Sequence, residues 1–590
     1  MQLQNKLSIK VLLPIKPILH FRPAGGFCHC GGKLNVHKTH TRRVSCLAIG
    51  EFIAHITQLV CAQCGQITKD KSLDPIVSPQ SKFSFDVIVY IGEALFLHHK
   101  SDSEIQRLLQ ENNTPISLRE IAHLGKKFIT YLTRCHQEAG EKIKQHMQSN
   151  GGYILHLDGT CEGDSPHLMS CMDEISHIVL DNIKMPSENS QQIIPFLENV
   201  QASYGDPIAV VHDMSSAIIK SVEWVFPDAK DFICHFHFLK DIGKDLFGFE
   251  YNNVRRYLSS FKTRSLLRKT IRELKCYIVQ HDDLSRCLKD VLKKDIRESM
   301  ANELPEIILL YLIVSWVVEA KTELHGYGFP FDRNHMDFFY RLKEAYPHMR
   351  ELKNKLPIAA PNLPLVAIAR ALNDQALNQS ISLMQEKVFV FDKLREAMRI
   401  ALPNDQQGLK DEGDQDIKTI EARVNTFRYS DEIEQLASNH TAYKKMIKQI
   451  DQYWNKLFAD PIEVKTCKGE TRHVQPQRTN NIMETFFRDI KHDGRRKRGT
   501  SSLNKALKSM LANTPLVKNL KIPEYKKIIL SGKANLADRF ADIDIGLVRE
   551  MLNQEDEDAR KYPKGMSKLF NIAHLPEILS ILMSKKTVEV

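Results

Sequence analysis

The chain has 590 residues, several times the roughly 100–150 residues common for one domain. With 42% apolar and 26% charged residues, 26 Gly and 24 Pro, its composition excludes disorder, collagen and low-complexity fibre. Lys and Arg number 82 against 72 Asp and Glu, a net +10 that points to an anionic partner without naming it.

The opening residues, MQLQNKLSIKVLLPIKPILHF, begin apolar like a signal peptide. Pro14, Lys16 and Pro17 interrupt that stretch, and no small-x-small cleavage pattern follows. The longest apolar run, Ile307 to Val318, is twelve residues closed by Glu306 and Glu319. A bilayer span needs about 20 residues, so this run predicts a buried core helix and no membrane partner. Of the twelve cysteines, four form close-set doublets and the rest are scattered. That pattern favours metal thiolates in a reducing compartment over a disulfide framework, so a cytoplasmic location is expected.

Cys28-His29-Cys30-Gly31-Gly32 and Cys61-Ala62-Gln63-Cys64-Gly65 lie about thirty residues apart. Between them Val36, His37, Thr39, Arg42, Val44 and the run FIAHITQLV suit a short antiparallel sheet. Zinc takes four tetrahedral N or S ligands, which two knuckles on adjacent hairpins supply. Residues 27–66 are therefore expected to form a zinc ribbon, with Cys28, Cys30, Cys61 and Cys64 holding a structural Zn2+. Glycine after each knuckle lets the backbone amides turn towards the sulfurs. The first knuckle is C-x-C rather than C-x-x-C, which leaves His29 or a neighbour open as a substitute ligand.

Residues 83–136 are helical by period. Phe85 to His98 carries Val87, Ile88, Ile91, Ala94 and Leu95 on one face. Ser101-x-x-Glu104 is a capping box that opens a second helix, and Asn112-Asn113-Thr114-Pro115 breaks it. Ser117-x-x-Glu120 opens a third, with Ile121, Leu124, Phe128 and Leu132 on its stripe. Two capped helices across a short polar turn match a helix-turn-helix, whose second helix enters the DNA major groove. Arg119, Lys126 and Lys127 lie off the apolar stripe, within reach of phosphates.

Residues 151–249 alternate strand-like and helix-like runs. Tyr153 to Thr160 is an apolar strand ending in Asp158 and Gly159; Pro207 to Asp213 repeats the design, followed by a helix at Ser215–Val225. HLMSCMD and HIVLDNI read as two more strands, Gln191–Gln201 as a helix and DFICHFHF as a last strand. The order is β-β-β-α-β-α-β, a ribonuclease H-like arrangement. A buried strand ending in Asp puts its carboxylate at the sheet's carboxyl edge, where α/β folds place ligands. Two such strands side by side can hold a divalent cation.

Residues 250–465 are helical for long distances, broken by the acidic loop PNDQQGLKDEGDQD at 403–416. In residues 470–515, Met483, Phe486, Phe487 and Ile490 make one helical face with Glu484 at its edge. Glu484 is the candidate third carboxylate of a two-metal site, where Mg2+ wants hard oxygen ligands. Arg488, Lys491, Arg495, Arg496, Lys497 and Arg498 follow it, six cations in eleven residues against Asp489 and Asp493. Such a cluster beside a metal ligand suits a DNA backbone. Residues 520–590 form a helical tail that carries no motif.

Asp158, Asp213 and Glu484 together resemble the catalytic triad of DDE transposases. The pattern is most similar to the insertion-sequence and Mutator-like or hAT-like group. Cys234-x-x-His237, beginning 21 residues after Asp213, resembles a recurrent feature of that group. So does the 271-residue gap from Asp213 to Glu484, which in the group is an all-helical insertion. The resemblance implies an α/β ribonuclease H-like core interrupted by an all-α insertion, with the zinc ribbon and helix-turn-helix recognising element ends. It also implies two Mg2+ ions on Asp158, Asp213 and Glu484, a duplex DNA substrate, and a homodimer or larger assembly that holds two ends together. Cys234 and His237 are expected to position the site rather than bind metal, because two further ligands are lacking. The alternatives are a transposase-derived regulator without activity and a ribonuclease H-like nuclease that cuts without joining.

Overall fold

An antiparallel pair of long strands, β2 (Leu34–Cys46) and β3 (Gly50–Cys61), makes the N-terminal sheet, with β1 (Ile18–Phe21) and β4 (Ile67–Lys69) both paired to β3. The computed structural model describes residues 16–293, 304–321, 326–357, 361–402, 416–458, 460–465, 469–499, 502–561 and 572–586. The apolar start at 1–15 and the acidic loop at 403–415 lie outside the described residues. At about 3.3 Å per residue, β2 runs roughly 40 Å. Its far end docks on the helices that follow: Ser45 N–H donates to Lys82 O at 2.9 Å, and Glu51 N–H to Asn113 O at 2.9 Å.

Those helices are α1 (Phe85–Phe96), α2 (Asp102–Glu111) and α3 (Leu118–Glu138), followed by α4 (Gly140–Ser149). Ser117 with Glu120 makes the complete capping box expected there, whereas at Ser101 only half of the expected box forms: Ser101 accepts from Glu104 N–H, and the Glu104 carboxylate takes Lys100 instead. Helix α1 approaches α3 so closely at Gly92 that a Cβ there would overlap the Phe128 ring.

A five-stranded sheet follows, ordered β7-β6-β5-β8-β9. Its strands are β5 (Ile154–Thr160), β6 (His167–Asp173), β7 (Val179–Met185), β8 (Ala209–His212) and β9 (Lys230–Ile233). Strand β6 is antiparallel to both its neighbours, whereas β5, β8 and β9 are parallel. The carboxyl ends of β5, β7, β8 and β9 therefore meet along one edge. Helices α5 (Ser190–Tyr204) and α6 (Ser216–Val225) connect β7 to β8 and β8 to β9.

The run DFICHFHF is not one strand. β9 ends at Ile233, and α7 (His235–Ser260) begins within the same run. The physical reason lies downstream: His235, Leu239, Ile242 and Leu246 are all buried at helical spacing, and that stripe outweighs the short aromatic alternation. Helices α8 (Thr263–Val279), α9 (Asp282–Lys293), α10 (Glu306–Glu319), α11 (Asn334–Lys355), α12 (Leu365–Leu372) and α13 (Gln375–Met398) continue the helical region. It closes with α14 (Ile417–Arg428), α15 (Asp431–Asn439) and α16 (Thr441–Leu457). These helices share a core of their own, in which the apolar run of α10 is embedded. No helix among the described residues is long and apolar enough to cross a membrane.

A hairpin that the sequence pattern does not announce, β10 (Ile462–Lys465) and β11 (Thr471–Val474), then returns the chain to the sheet. Ile462 and Val464 pack with Ile154, Ala209, Val211 and Phe232 on one sheet face. On the other face a larger core joins Leu155, Leu157 and Val210 to α1–α5 and to the C-terminal elements. The latter are α17 (Asn481–Arg498), α18 (Leu503–Ser509), a 3-10 turn (Thr514–Lys521), α19 (Pro523–Leu530), α20 (Leu536–Ala541) and α21 (Ile545–Lys561), whereas the last helix, α22 (Leu575–Lys586), stays outside this core with Ile578, Leu579, Ile581 and Met583 exposed. The Asn519 side chain hydrogen-bonds both the N–H and the C=O of Val179, at 2.8 Å each, and so closes the open edge of β7.

Candidate active site and metal centre

Cys28, Cys30, Cys61 and Cys64 come together at the free end of the β2–β3 hairpin, with all four sulfurs within 4.8 Å of one another. Cys28 Sγ is 3.6 Å from Cys64 Sγ, and Cys30 Sγ 3.5 Å from Cys61 Sγ. A tetrahedron with Zn–S bonds of about 2.3 Å has S–S edges of about 3.8 Å, so the set fits a zinc ion. Gly31 (φ +84°) and Gly65 (φ +73°) take left-handed conformations behind their knuckles. Gly32 is constrained differently: a Cβ there would stand 2.7 Å from Cys61 Sγ. The N–H groups of Cys64 and Gln63 point at Cys61 Sγ and bring its thiol down to about 6. Cys64 is pushed up to about 12, because the neighbouring sulfurs outweigh the Gln66 N–H that favours its thiolate. A cation between the four sulfurs would stabilise all of them as thiolates, which the thiols alone do not reach.

The two strand-end aspartates occupy the edge expected of them. Strands β5 and β8 pair in parallel with Leu157 opposite His212, so Asp158 and Asp213 are the next residues along each strand. The two-residue alternation places Ile154, His156 and Asp158 on the same face as Ala209, Val211 and Asp213. Asp158 is buried and accepts Gly159 N–H at 2.8 Å; Asp213 accepts Ser215 N–H at 2.9 Å.

Two residues unmarked by the sequence pattern stand beside them. Glu188, in the loop after β7, accepts a hydrogen bond from Ser215 Oγ. Its second oxygen lies 3.3 Å from the point where a Gly159 Cβ would be, so it braces the edge between the two aspartates' loops. Lys240 of α7 is half-buried; burial lowers its pKa, and Asp158 and Asp213 both oppose that shift. A cation therefore faces the carboxylate pair from the helical side.

Asn480, directly before α17, brings the Glu484 helix to this edge. Fully buried, it bonds His156 Nδ1 through Oδ1 at 2.8 Å and donates from Nδ2 to Leu157 O at 3.1 Å. Its backbone N–H donates to Cys234 Sγ at 3.2 Å. Cys234 thus ties α17 to the β9–α7 junction, while His237 is half-buried on α7 with its ring edge-on to Phe236. The neighbouring His235 donates from Nε2 to Leu457 O, and burial brings its pKa down to about 3. Glu484 N–H bonds Asn480 O at 3.1 Å, which sets the carboxylate one turn into a helix anchored on β5.

Among the described residues the four cysteines are the one set of three or more His, Cys, Asp or Glu whose ligand atoms all lie within 4.8 Å. Asp158 and Asp213 share the sheet edge and the Glu484 helix starts beside it, but the three carboxylates do not gather that tightly. A pair of ions about 3.5–4 Å apart can be held by carboxylates more widely spread than those around one ion.

From Glu484 the same side of α17 continues through Arg488, Lys491 and Arg495, all exposed, with Arg496 beside them. The two acids of this segment turn elsewhere: Asp489 and Asp493 both pair with Lys518, at 3.6 and 3.1 Å. The side chains of Lys497 and Arg498 lie outside the described residues. On α3, Arg119 is exposed in the first turn and Lys126 is half-buried. Lys127 is half-buried beside Arg549 of α21, and burial first, then Arg549, lowers its pKa. The structure therefore separates Lys127 from the exposed start of α3. Comparison with protein-family models and with curated protein sequences finds no match to this chain.

Proposed function

We propose that this protein is a DNA transposase with a ribonuclease H-like core, which binds the ends of a mobile element and carries out Mg2+-dependent strand cleavage and strand transfer. The observation that carries this reading is the pairing of Asp158 and Asp213 on adjacent parallel strands, on one sheet face, with the Glu484 helix pinned to the same strand by Asn480. The sheet order, with one antiparallel strand inside a parallel set, supports the core assignment. The exposed cations of α17 support DNA as substrate.

In this reading Asp158, Asp213 and Glu484 hold two Mg2+ ions, hard cations suited to carboxylate oxygens. When bound, such ions stabilise the attacking and leaving oxygens of an in-line displacement at phosphorus. The residues of the chain supply position. Asn480 and Cys234 fix where Glu484 enters, and Arg488, Lys491 and Arg495 hold the phosphodiester backbone beside it. Lys240 offsets the charge of the aspartate pair. Water and a 3′-hydroxyl serve as alternative nucleophiles at the same site, so cleavage and joining need no covalent enzyme intermediate. The zinc-binding hairpin and the helix-turn-helix of α2 and α3, with Arg119 and Lys126, select the end sequence, and a homodimer or larger assembly pairs two ends.

The test is cleavage and joining of duplex DNA carrying the element's ends, with Mg2+, comparing wild type with Asp213→Ala. Loss of both reactions with retained end binding is expected. Unchanged cleavage by the variant would remove the catalytic assignment. End binding by wild type without cleavage would make the chain a regulator, and cleavage without joining a nuclease.

A further inference from the structure

Strand β8 ends in a residue that is polar where its neighbours are not. His212 is fully buried, and its register partner on β5 is the apolar Leu157. Its ring is held at both nitrogens. Nδ1–H donates to the carbonyl oxygen of Asp213, and Nε2 bonds Asp231 Oδ1 on β9 at 2.7 Å. The second oxygen of Asp231 accepts from Lys456 Nζ at 2.6 Å, and the same ammonium reaches Glu223 of α6 at 2.7 Å. Burial would raise the Asp231 pKa, but His212 and Lys456 outweigh it and hold the carboxylate below its ordinary range. Lys456 belongs to the last turn of α16, the helix that closes the helical region. The next residue, Leu457, accepts from His235 Nε2 through its carbonyl at 2.9 Å, so the end of α16 is tied to the sheet at two points.

An apolar pair would join β8 to β9 as well, as Val211 and Phe232 do on the opposite face. Buried ion pairs seldom stabilise a fold more than well-packed apolar groups of the same size. What this row of polar side chains adds is a fixed point on the Asp213 peptide. The ladder between β8 and β9 ends at His212, whose carbonyl accepts from Cys234 N–H at 2.8 Å. Asp213 lies one residue past that end, held by the His212 ring at its carbonyl and by Ser215 N–H at its carboxylate. A matching brace stands on the other sheet face. There His156, also fully buried, bonds Glu174 through Nε2 at 2.8 Å and Asn480 through Nδ1. Each strand therefore carries, within two residues of its aspartate, a histidine gripped between a carboxylate and a group of the edge.

We infer that His212 and Asp231 are positioning residues for Asp213, and that Lys456 carries this hold into the helical region between the sheet and α17. The inference rests on the proposed role of Asp213 as a metal ligand. Groups that hold a metal ligand without touching the metal fix its orientation, and losing one costs about 10–100-fold in metal affinity. Here the hold is a hydrogen bond to the Asp213 peptide oxygen, so it sets where the side chain starts. Asp231 keeps the ring in place, and Lys456 keeps Asp231 in place. A displacement of α16 is therefore felt at Asp213.

The experiment titrates Mn2+ into the full zinc-loaded chain without DNA and follows the free ion by its EPR signal. Mn2+ stands in for Mg2+ because both favour carboxylate oxygens. Asp231→Ala is expected to weaken binding about tenfold. Asp231→Asn keeps an oxygen for the His212 ring and should bind Mn2+ like wild type. Lys456→Met should weaken binding in the same direction by less. The control is Glu250→Ala, which breaks a comparably buried pair with Lys387, 2.6 Å apart. It lies about 15 Å along α7 beyond Lys240 and should lower the unfolding temperature without changing Mn2+ affinity. Wild-type Mn2+ affinity in a destabilised Asp231→Ala would overturn the inference, because the network would then serve stability alone. Equal losses in Asp231→Asn and Asp231→Ala would also overturn it, since charge rather than the hold on His212 would govern. If Asp231→Ala does not fold, Lys456→Met decides, and wild-type affinity there overturns the inference. Asp213→Ala separates the two possible failures. If it binds Mn2+ like wild type, the metal site fails and the positioning role with it. If it binds weakly while Asp231→Ala binds normally, only the positioning role falls.

Discussion

Asn480 sits fully buried with both ends of its amide and its backbone N–H engaged, by His156, Leu157 O and Cys234 Sγ. Asn480→Ala strands the His156 ring nitrogen and the Leu157 carbonyl in the interior. Each unsatisfied group costs about 1–3 kcal/mol, so a loss of roughly 2–4 kcal/mol is expected in urea unfolding. Cleavage should fall further than stability explains, since Glu484 takes its place from this residue; a variant with wild-type cleavage per folded molecule would break that link. Lys240 gives a prediction of the opposite sign. Lys240→Met removes a cation facing Asp158 and Asp213, so the Mg2+ concentration for half-maximal cleavage should drop by about 5-fold, the equivalent of about 1 kcal/mol between charges near a wet edge. A rise instead would place Lys240 on the DNA. Two buried histidines set the acid limit of the fold. Burial holds His136 at about 4 and His235 at about 3, below the ordinary 6.5. The unfolded chain therefore takes up these protons first as the pH falls. Their contribution is complete above about pH 6.5 and is lost progressively towards pH 4 and pH 3. The unfolding temperature should drop between pH 7 and pH 5, and His136→Gln, which keeps a neutral partner for Tyr525, should make that drop shallower.

At the scale of elements, the knuckle glycines separate two kinds of requirement. Gly32 is needed for space and Gly31 for its backbone angle, whereas a Cβ on Gly26 meets nothing within 4 Å. Gly32→Ala should therefore lower zinc affinity in competition with a chelator at least tenfold, and Gly26→Ala should not; equal affinities would mean that Cys61 Sγ moves freely. These features, like the caps at Ser101 and Ser117 and the buried face of α17 from Met483 to Ile490, were legible because each depends on residues a few positions apart. The strand-end aspartates were legible for the same reason. Glu188, Lys240 and Asn480 were not, since their roles come from segments that meet only in the fold: Asn480 lies 324 residues from His156. The β10–β11 hairpin was missed because its strands are only four residues long, and its packing partners are strands of the sheet. At Ile233 the local alternation favoured strand, and only the stripe continuing to Leu246 decides for helix.

Across the whole molecule, the charge and the core are distributed in opposite ways. The positive excess gathers in residues 1–69, while the largest core draws the N-terminal helices, the sheet and the C-terminal elements up to α21 into one body. The tail is structural in this arrangement. Phe540 of α20 stacks on Tyr131 with centroids 4.9 Å apart and meets Phe128 edge-on at 5.7 Å, both on α3. Tyr525 of α19 bonds His136, and Arg539 pairs with Glu138 at 2.5 Å. The inner half of α3 is thus covered by chain from more than 380 residues away, while its first turn, with Arg119, stays exposed. Phe540→Ala removes a fully buried ring and should cost about 3–5 kcal/mol. Because the contact spans the two ends of the chain, the loss should appear as faster amide exchange in α3 as well as in α20, with weaker duplex binding in proportion to the unfolded fraction. Faster exchange confined to α20 would show that the tail is a separable cap. Exchange that rises in α3 and the sheet together would show that the ends of the chain fold as one cooperative unit around the sheet edge that carries Asp158 and Asp213.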